Sequence, residues 1–152
     1  MPPLSRRELK KLVRQLGADA RPGQLRHALE TIASLCLPGD TNHDALAAIA
    51  ACGAIPPLIQ LLGPGYSAGV QSNAAWVIAG LTSCDAAIIA AAGAIPPLVQ
   101  LLGAGYPANV HQMAAGALMD IAWNDDNKVT IAAAGAIPAL VQLLGSDSPA
   151  AV

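Results

Sequence analysis

Three stretches of the chain repeat almost the same eleven residues, and they decide the fold. Residues 53–63 read GAIPPLIQLLG, residues 93–103 read GAIPPLVQLLG and residues 135–145 read GAIPALVQLLG. The first glycines of the three copies lie 40 and then 42 residues apart. An internal repeat of this length, without the apolar–polar alternation of strands, is typical of stacked helical repeats. The sequence therefore predicts an all-α solenoid.

Each repeat is predicted to hold a medium, a long and a short helix. Apolar side chains in residues 55–62 recur at i, i+3, i+4 and i+7, which is one face of a helix. Gly63 is expected to stop this medium helix. A long helix is predicted over about residues 67–82, and a short one over about residues 85–92.

A single domain is predicted over residues 1–152, divided into four parts. Residues 53–92 and 93–134 are the complete repeats, and residues 135–152 are an incomplete repeat. Residues 5–52 are a degenerate N-terminal repeat or cap, because their apolar pattern follows the other copies at an offset of 46. Such an array buries its core only between neighbouring repeats.

The N-terminal repeat carries two further signals. Ser5 followed by Glu8 predicts a capping box at the start of the first helix. Seven of the eight Lys and Arg residues lie in residues 6–26. A first repeat needs a polar outer face, so these charges indicate an end cap, with a basic interaction arm as the alternative. The extra residues of this repeat are expected in the loop 37–40.

Composition restricts the class of partner. The net charge of −2 gives no overall attraction to nucleic acid, and no aromatic residue interleaves the basic segment to stack on bases. The longest run without a polar side chain, residues 86–99, is shorter than the roughly 20 residues of a membrane-spanning helix. Three cysteines, an odd count, favour a reducing compartment, the cytoplasm or the nucleus. Neither nucleic acid nor an integral membrane position is expected.

No catalytic residue, cofactor or metal ion is predicted. The chain has neither a GxxxxGK[ST] loop nor a GxSxG turn. A zinc site is conceivable but lacks the usual ligand spacing; its residues would be His27, Cys36, His43 and Cys52. An apparent acid–base cluster is expected to be a loop and helix cap; it consists of Asp40, His43 and Asp44. His111 matches Gln71 in the repeat and is predicted to lie at a surface position.

The stretches GAIPPLIQLL (53–62) and NAAWVIAGL (73–81), followed by a short Ala-rich helix, resemble the armadillo repeat family. The resemblance covers about residues 5–152 and is most specific over residues 53–145. It implies a right-handed α-solenoid of three-helix repeats that acts as a binding scaffold. In this family the third, long helices line a concave groove that holds extended peptides.

The resemblance also implies which residues line the groove. Peptide-binding members often carry a Trp followed four residues later by an Asn, one turn apart on the same helix face. The matching pairs here are Glu30 with Ser34, Trp76 with Gly80, and Gly116 with Asp120. Only Trp76 keeps the family residue, and every Asn is replaced. A core role for Trp76 is the alternative, and Trp123 is predicted to cover the loop between repeats.

The expected function is therefore non-catalytic binding of an extended peptide or partner protein along the groove. The missing Asn residues favour a general scaffold over a nuclear import adaptor that binds nuclear localisation signals. A substrate-binding armadillo tail of a ubiquitin ligase is a further alternative. The apolar face of Gly135–Leu144 is expected to be uncovered, which predicts self-association, a bound partner or continuation of the array at the C-terminal end.

Overall fold

A computed structural model describes residues 4–36 and 43–146, and these residues are helical with no strand. The helices are α1 (Arg6–Arg14), α2 (Pro22–Ser34), α3 (His43–Ala51), α4 (Ile55–Gln60), α5 (Ala68–Ala91), α6 (Ile95–Gln100), α7 (Ala108–Ile121), α8 (Asp125–Ala133) and α9 (Ala136–Ser146). The all-α prediction is confirmed. The loop 37–40, where extra residues were expected, lies outside the described residues.

The second repeat joins its long and short helices end to end in α5. The backbone leaves the helical conformation only at Asp85 (φ −163°, ψ 100°). The Asp85 carboxylate accepts hydrogen bonds from the backbone N–H groups of Ala87 (2.9 Å) and Ile88 (3.2 Å), which caps the following short helix. The predicted boundary between the two helices is therefore found at this residue.

The medium helix is shorter than predicted. α4 ends at Gln60, so the prediction that Gly63 stops it is wrong by about one turn. Beyond Gln60 the chain continues in tighter i to i+3 turns, because Leu62 N–H donates to the carbonyl oxygen of Ile59 at 3.2 Å. Leu62 is still buried, so the apolar face predicted from the sequence is preserved.

The first glycine of each repeated stretch ends the preceding short helix. Gly93 has a φ of +91°, and Ala94 N–H bonds back to the carbonyl oxygen of Ile89 at 3.4 Å. This is the hydrogen bond of a Schellman motif, in which the residue after the helix is left-handed. Gly53 and Gly135 have the same conformation, with φ of +85° and +87°. A residue with a Cβ would be strained here, which explains why the glycine recurs.

One apolar core runs through the described repeats. α5 lies at its centre, packed against α2, α3, α4 and α7. The long helices approach one another through small side chains that are completely buried, among them Ala28, Ala74, Ala75, Ala114 and Ala117. Close approach of these helices places α2, α5 and α7 side by side.

The N-terminal end of the described chain has a polar surface. Ser5 N–H donates to the Glu8 carboxylate at 2.7 Å, and Glu8 N–H donates to Ser5 Oγ at 3.3 Å, which confirms the capping box. All seven basic side chains of residues 6–26 are exposed. Arg26 forms an ion pair with Glu30, with 2.8 Å between its Nε and the carboxylate oxygen.

By length and composition alone, α5 could cross a membrane. The bent pair of α8 and α9, which turns by 70°, passes the same test when counted as one span. α5 is broken at Asp85 and packed against four other helices.

Candidate functional site

The long helices of three successive repeats form one side of the molecule and enclose a groove there. A cavity of about 490 Å³ is bounded by residues of all three helices, namely Glu30, Ala33, Ser34, Ser72, Asn73, Trp76, Asn109 and Met113. We call this the Trp76 cavity. Because α2, α5 and α7 each contribute to it, it exists only when the repeats are stacked.

Trp76 is half-buried between α2 and the groove. Its Nε1–H donates a hydrogen bond to the backbone carbonyl oxygen of Ala33 at 3.2 Å. The rest of the side chain borders the Trp76 cavity together with Glu30 and Ser34. Trp76 therefore combines the two roles weighed from the sequence, since it joins adjacent repeats and also presents an aromatic surface to the cavity.

A second cavity, of about 560 Å³, lies near the C-terminal ends of the same long helices. It is lined by residues that include Cys36, Gly80, Ser83, Asp120 and Trp123. A small space of about 130 Å³ borders Trp76, Gly80 and Asp120 together. The groove therefore extends from the Trp76 cavity to Asp120. We call the cavity of about 560 Å³ at this far end the Asp120 cavity.

Gly80 lies where Cys36 of the preceding repeat approaches α5 closely. A Cβ atom added to Gly80 would lie 2.6 Å from Cys36 Sγ and 3.0 Å from Cys36 Cβ. Carbon and sulfur atoms that are not bonded stay much further apart, so a larger side chain at this position needs Cys36 to move. The close approach of Cys36 is a physical reason for the missing Asn at position 80.

Cys36 is a packing residue. Burial, and to a lesser extent the nearby Cys84, raise the pKa of Cys36 to about 12. Its thiol donates to the carbonyl oxygen of Ile32 at 3.6 Å. Nucleophilic cysteines need an easily formed thiolate, so this environment is the opposite of a reactive site.

Asp120 is half-buried in the groove, and this desolvation raises the pKa of its carboxyl group. Among the described residues the ion pairs are Arg26–Glu30 and Lys128–Asp125, and neither includes Asp120. A carboxylate without a cationic neighbour favours a partner that brings positive charge. This end of the groove therefore carries a negative charge, when Asp120 is ionised, that no ion pair compensates.

Gly116 is the repeat equivalent of Trp76 on α7. A Cβ built on Gly116 meets no atom within 4 Å, so a side chain has open space at this position. The other five predicted groove residues border the described cavities: Glu30, Ser34 and Trp76 at one end, and Gly80 and Asp120 at the other.

Several residues of the Trp76 cavity were missed by the sequence analysis. Asn73, Asn109 and Met113 all border it. Asn73 lies three residues before Trp76, a spacing that shares a helix face and could have identified it. Asn109 comes from the next repeat, so only the stacking of α7 on α5 brings it to the cavity.

Gln71 and His111, which were predicted to be surface positions, are structural. Gln71 is only 2% exposed, and its Nε2 donates to the carbonyl oxygens of Gly63 (2.7 Å) and Leu62 (3.5 Å). His111 Nε2 lies 3.0 Å from the equivalent oxygen of Gly103. Both side chains bind carbonyl groups just after the medium helix, and the Gly63 oxygen also accepts from Tyr66 N–H at 3.3 Å. The surface prediction is wrong because a long polar side chain can reach these groups.

Trp123 does not cover the loop between repeats, and that prediction is wrong. Its side chain is 82% exposed. It borders the Asp120 cavity instead, together with Thr82 and Ser83 of the preceding repeat. An exposed indole next to a cavity is available to a partner rather than to the core.

The residues considered for metal or acid–base chemistry are not grouped. No three His, Cys, Asp or Glu side chains of residues 4–36 and 43–146 are placed as metal ligands would be. His43 Nε2 is 3.1 Å from the carbonyl oxygen of Ser83 and so connects two repeats. Asp40 lies outside the described residues. The absence of catalytic, metal and cofactor sites stays a prediction.

Comparison with known proteins agrees with the geometry. The armadillo/beta-catenin-like repeat model matches residues 42–83 and 124–151. A designed armadillo repeat protein has 30% identity and a TM-score of 0.79, with 93% of this chain and 58% of that chain covered. No curated protein matches.

Two other similar structures are of armadillo repeat proteins that were solved with a peptide or designed to recognise peptides. A designed armadillo repeat protein in complex with the peptide (KR)4 has 31% identity and a TM-score of 0.79, covering 93% of this chain and 59% of that one. A computationally designed armadillo repeat protein for modular peptide recognition has 30% identity and a TM-score of 0.78, covering 90% of this chain and 57% of that one. The chain thus spans somewhat more than half the length of these proteins.

Proposed function

Because this chain belongs to the armadillo repeat family, we propose that it is a non-catalytic scaffold that holds an extended peptide or partner segment along α2, α5 and α7. The observation that carries the proposal is the position of Trp76. It lies where three repeats meet, with Glu30 on one side of the cavity and Asn109 on the other. An aromatic anchor in a groove is the kind of residue that dominates binding energy at interfaces.

The chemistry of the groove indicates which features a partner would have. Asn73 and Asn109 have side-chain amides, which can both donate to and accept from a peptide backbone. Trp76 and Met113 supply apolar surface for one partner side chain. Glu30 and Asp120 add negative charge, so a segment with a basic residue fits better than an acidic one. One similar designed protein was solved with a basic peptide, (KR)4, which supports this direction.

Nuclear import is the narrower alternative. A regular ladder of Asn side chains is absent from the predicted groove positions, which hold Ser34, Gly80 and Asp120. At Gly80 the missing side chain coincides with the close approach of Cys36, so this position offers a peptide no side-chain amide. This favours a general scaffold over an import adaptor. The substrate-binding tail of a ubiquitin ligase would use the same groove.

We further propose that the protein works in the cytoplasm, the nucleus or both. Cys36, Cys52 and Cys84 are free thiols in the structure, and free thiols persist in reducing compartments.

The experiment is to select linear peptides from a display library on the wild-type chain and then measure their affinities for groove variants. Asn109→Ala removes an exposed amide, and Gly116→Leu places a side chain in open space of the groove. Each is expected to weaken binding about tenfold, corresponding to about 1.4 kcal/mol. Circular dichroism checks that both variants are folded.

The matched control is Ile88→Ala, which shortens an exposed apolar side chain on the short-helix segment of α5, away from both cavities. It is expected to bind the selected peptides like the wild type. Equal affinity of all variants, or a loss only with Ile88→Ala, would contradict binding in the groove.

A further inference from the structure

One cavity of the groove combines an exposed indole with a half-buried carboxylate. Asp120 and Trp123 both line the Asp120 cavity, and none of the described residues that line it is Lys or Arg. Trp123 N–H donates to the carbonyl oxygen of Asp120 at 3.3 Å, so the chain makes a tight i to i+3 turn between the two residues. Side chains three residues apart in such a turn lie on the same side. The indole and the carboxylate therefore border one space together.

The exposure of Trp123 is a property of its position in the repeat. Ser83 is the equivalent residue of the preceding repeat, 40 residues earlier. It is also exposed, although a complete repeat follows it. This position is therefore open to solvent even where the next repeat is stacked on it, and Trp123 places an aromatic surface there.

The hydroxyl groups of the cavity have already donated their hydrogen atoms. Thr82 Oγ1 donates to the carbonyl oxygen of Ala79 at 2.6 Å, and Ser83 Oγ donates to that of Gly80 at 2.7 Å. Both hydroxyl oxygens keep lone pairs that can accept. Together with the Asp120 carboxylate they make the lining rich in acceptors, so a ligand with several N–H donors fits it.

The remaining lining suits the stem of a long side chain. The Cys36 thiol donates to the carbonyl oxygen of Ile32 at 3.6 Å, and His43 Nε2 lies 3.1 Å from that of Ser83. These two groups therefore have partners within the protein. The apolar residues can pack against methylene groups while a charged end stays at the carboxylate; they are Leu35, Leu46, Ala79 and Ala86.

Cationic side chains differ in how well they match this lining. The arginine guanidinium is planar and has five N–H donors, so it can stack on an indole and bond a carboxylate through two of them. Lysine brings a point charge with three donors and no planar face. Trimethyl-lysine has no N–H and is recognised by cages of several aromatic rings. Among the described residues of this lining, Trp123 is the one aromatic residue.

We propose that the Asp120 cavity binds an arginine side chain of the partner segment, with its guanidinium stacked on Trp123 and paired with Asp120. This site depends on the proposed function, because the arginine must be delivered by a segment bound along α2, α5 and α7. Trp123 then selects the partner residue at this end of the groove, although it lies outside the Trp and Asn pattern that the family resemblance implies.

The first part of the test changes the peptide. In the tightest peptide selected from the display library on the wild-type chain, each arginine is replaced in turn by lysine and by alanine, and affinities are measured by calorimetry. One arginine is expected at which lysine weakens binding about fivefold and alanine about tenfold or more. Selected peptides without arginine, or equal affinity for every lysine-substituted peptide, would overturn the arginine site and leave binding in the groove intact. Selection of no peptide at all would overturn both.

The second part changes the chain. Trp123→Ser introduces the residue that stands at the equivalent position 83, and Asp120→Asn keeps the shape of the side chain without its charge. Each should weaken the arginine peptide about fivefold to tenfold and leave the alanine-substituted peptide nearly unchanged. Trp123→Ser should also abolish the preference for arginine over lysine. Circular dichroism checks that both variants are folded.

The matched control is Val129→Ala, which shortens an exposed apolar side chain on α8 that borders neither named cavity. It should keep the wild-type preference for arginine. A preference that survives Trp123→Ser, or an equal loss of affinity for the arginine and alanine peptides in both cavity variants, would overturn the assignment of arginine to the Asp120 cavity.

Discussion

The indole Nε1–H of Trp76 donates a hydrogen bond to the carbonyl oxygen of Ala33, 43 residues earlier in the chain, with 3.2 Å between the two atoms. Ala33 lies in the last turn of α2, and its carbonyl oxygen also accepts a hydrogen bond from Cys36 N–H at 3.0 Å. One groove residue therefore also fastens the second repeat to the first. Its binding role and its structural role can be separated by substitution, because the hydrogen bond and the aromatic surface depend on different atoms.

Trp76→Phe removes the hydrogen bond and keeps an aromatic ring. We expect the free energy of unfolding to fall by about 1 kcal/mol for Phe, and by about 2–4 kcal/mol for Trp76→Ala, which also removes apolar surface between repeats. Urea denaturation followed by circular dichroism measures both. If Trp76→Ala unfolds at the same urea concentration as the wild type, the indole contributes nothing to repeat packing.

Gln71 and His111 bind equivalent carbonyl groups in successive repeats. A Gln side chain at position 111 should therefore stabilise the fold about as well as His111 does. We expect His111→Gln to change the free energy of unfolding by less than about 0.5 kcal/mol, because Gln71 already makes this contact in its own repeat. Gln71→Met, of similar shape but without the amide, should cost about 1–2 kcal/mol, since buried carbonyl groups lose a donor. Thermal and urea unfolding would compare the two, and a Met variant as stable as the wild type would refute the role of the hydrogen bond.

Gly80 and Gly116 both lie in long helices but differ in their surroundings. Gly80→Ala is expected to cost about 1–3 kcal/mol, because its Cβ would overlap Cys36 Sγ. Gly116→Ala meets open space and should stabilise the chain by about 0.5–1 kcal/mol through its better helix propensity. Equilibrium unfolding of both variants gives the comparison.

A double-mutant cycle identifies the cause of the Gly80 effect. Adding Cys36→Ala to Gly80→Ala removes the sulfur atom at 2.6 Å and should recover most of the loss attributable to Gly80→Ala. If the changes in the free energy of unfolding caused by the two substitutions are additive, the close approach of Cys36 is not the reason for glycine at this position.

Cys36 should be the slowest of the three thiols to react. Burial raises its pKa to about 12, so at pH 8 only about one molecule in ten thousand carries the thiolate. We expect modification at pH 8 to spare Cys36 in the folded chain, as peptide mass analysis after a timed reaction would show. In urea all three thiols should react at similar rates. Rapid labelling of Cys36 in the folded chain would show that the site is open.

The same pKa predicts how stability changes at alkaline pH. The folded state keeps the Cys36 proton more tightly than the unfolded chain does, so this contribution is fully present below the ordinary thiol pKa. It is lost as the pH rises from about 9 towards about 12. Cys36→Ala should show a smaller loss of stability over this range than the wild type.

Repetition made much of the fold predictable. The period of 40–42 residues located the repeats, and the apolar spacing in residues 55–62 located their medium helices. Ser5 with Glu8 identified the first helix cap. These features depend on local spacing or on comparison of the chain with itself, so they can be read without coordinates. The groove position of Trp76 was implied instead by the resemblance to the armadillo repeat family.

Contacts between repeats could not be read in the same way. Gln71 looked like a variable surface residue because its partner carbonyl groups belong to backbone, which has no sequence signal. Asn109 borders the Trp76 cavity only because α7 packs on α5. Trp123 is exposed for a related reason, since no described element is placed over it.

The sequence by itself determined the repeat architecture, the ends of the short helices before Gly53, Gly93 and Gly135, and the apolar pattern of Gly135–Leu144. Helix periodicity and turn chemistry act within a few residues, and each repeat contains its own copy of them. The tertiary structure alone decided that Cys36 fills the space beside Gly80, that Trp76 is fastened to Ala33 and that Asp120 is partly desolvated. These properties arise between atoms some 40 or more residues apart in the chain, where distance is set by how the stacked helices pack.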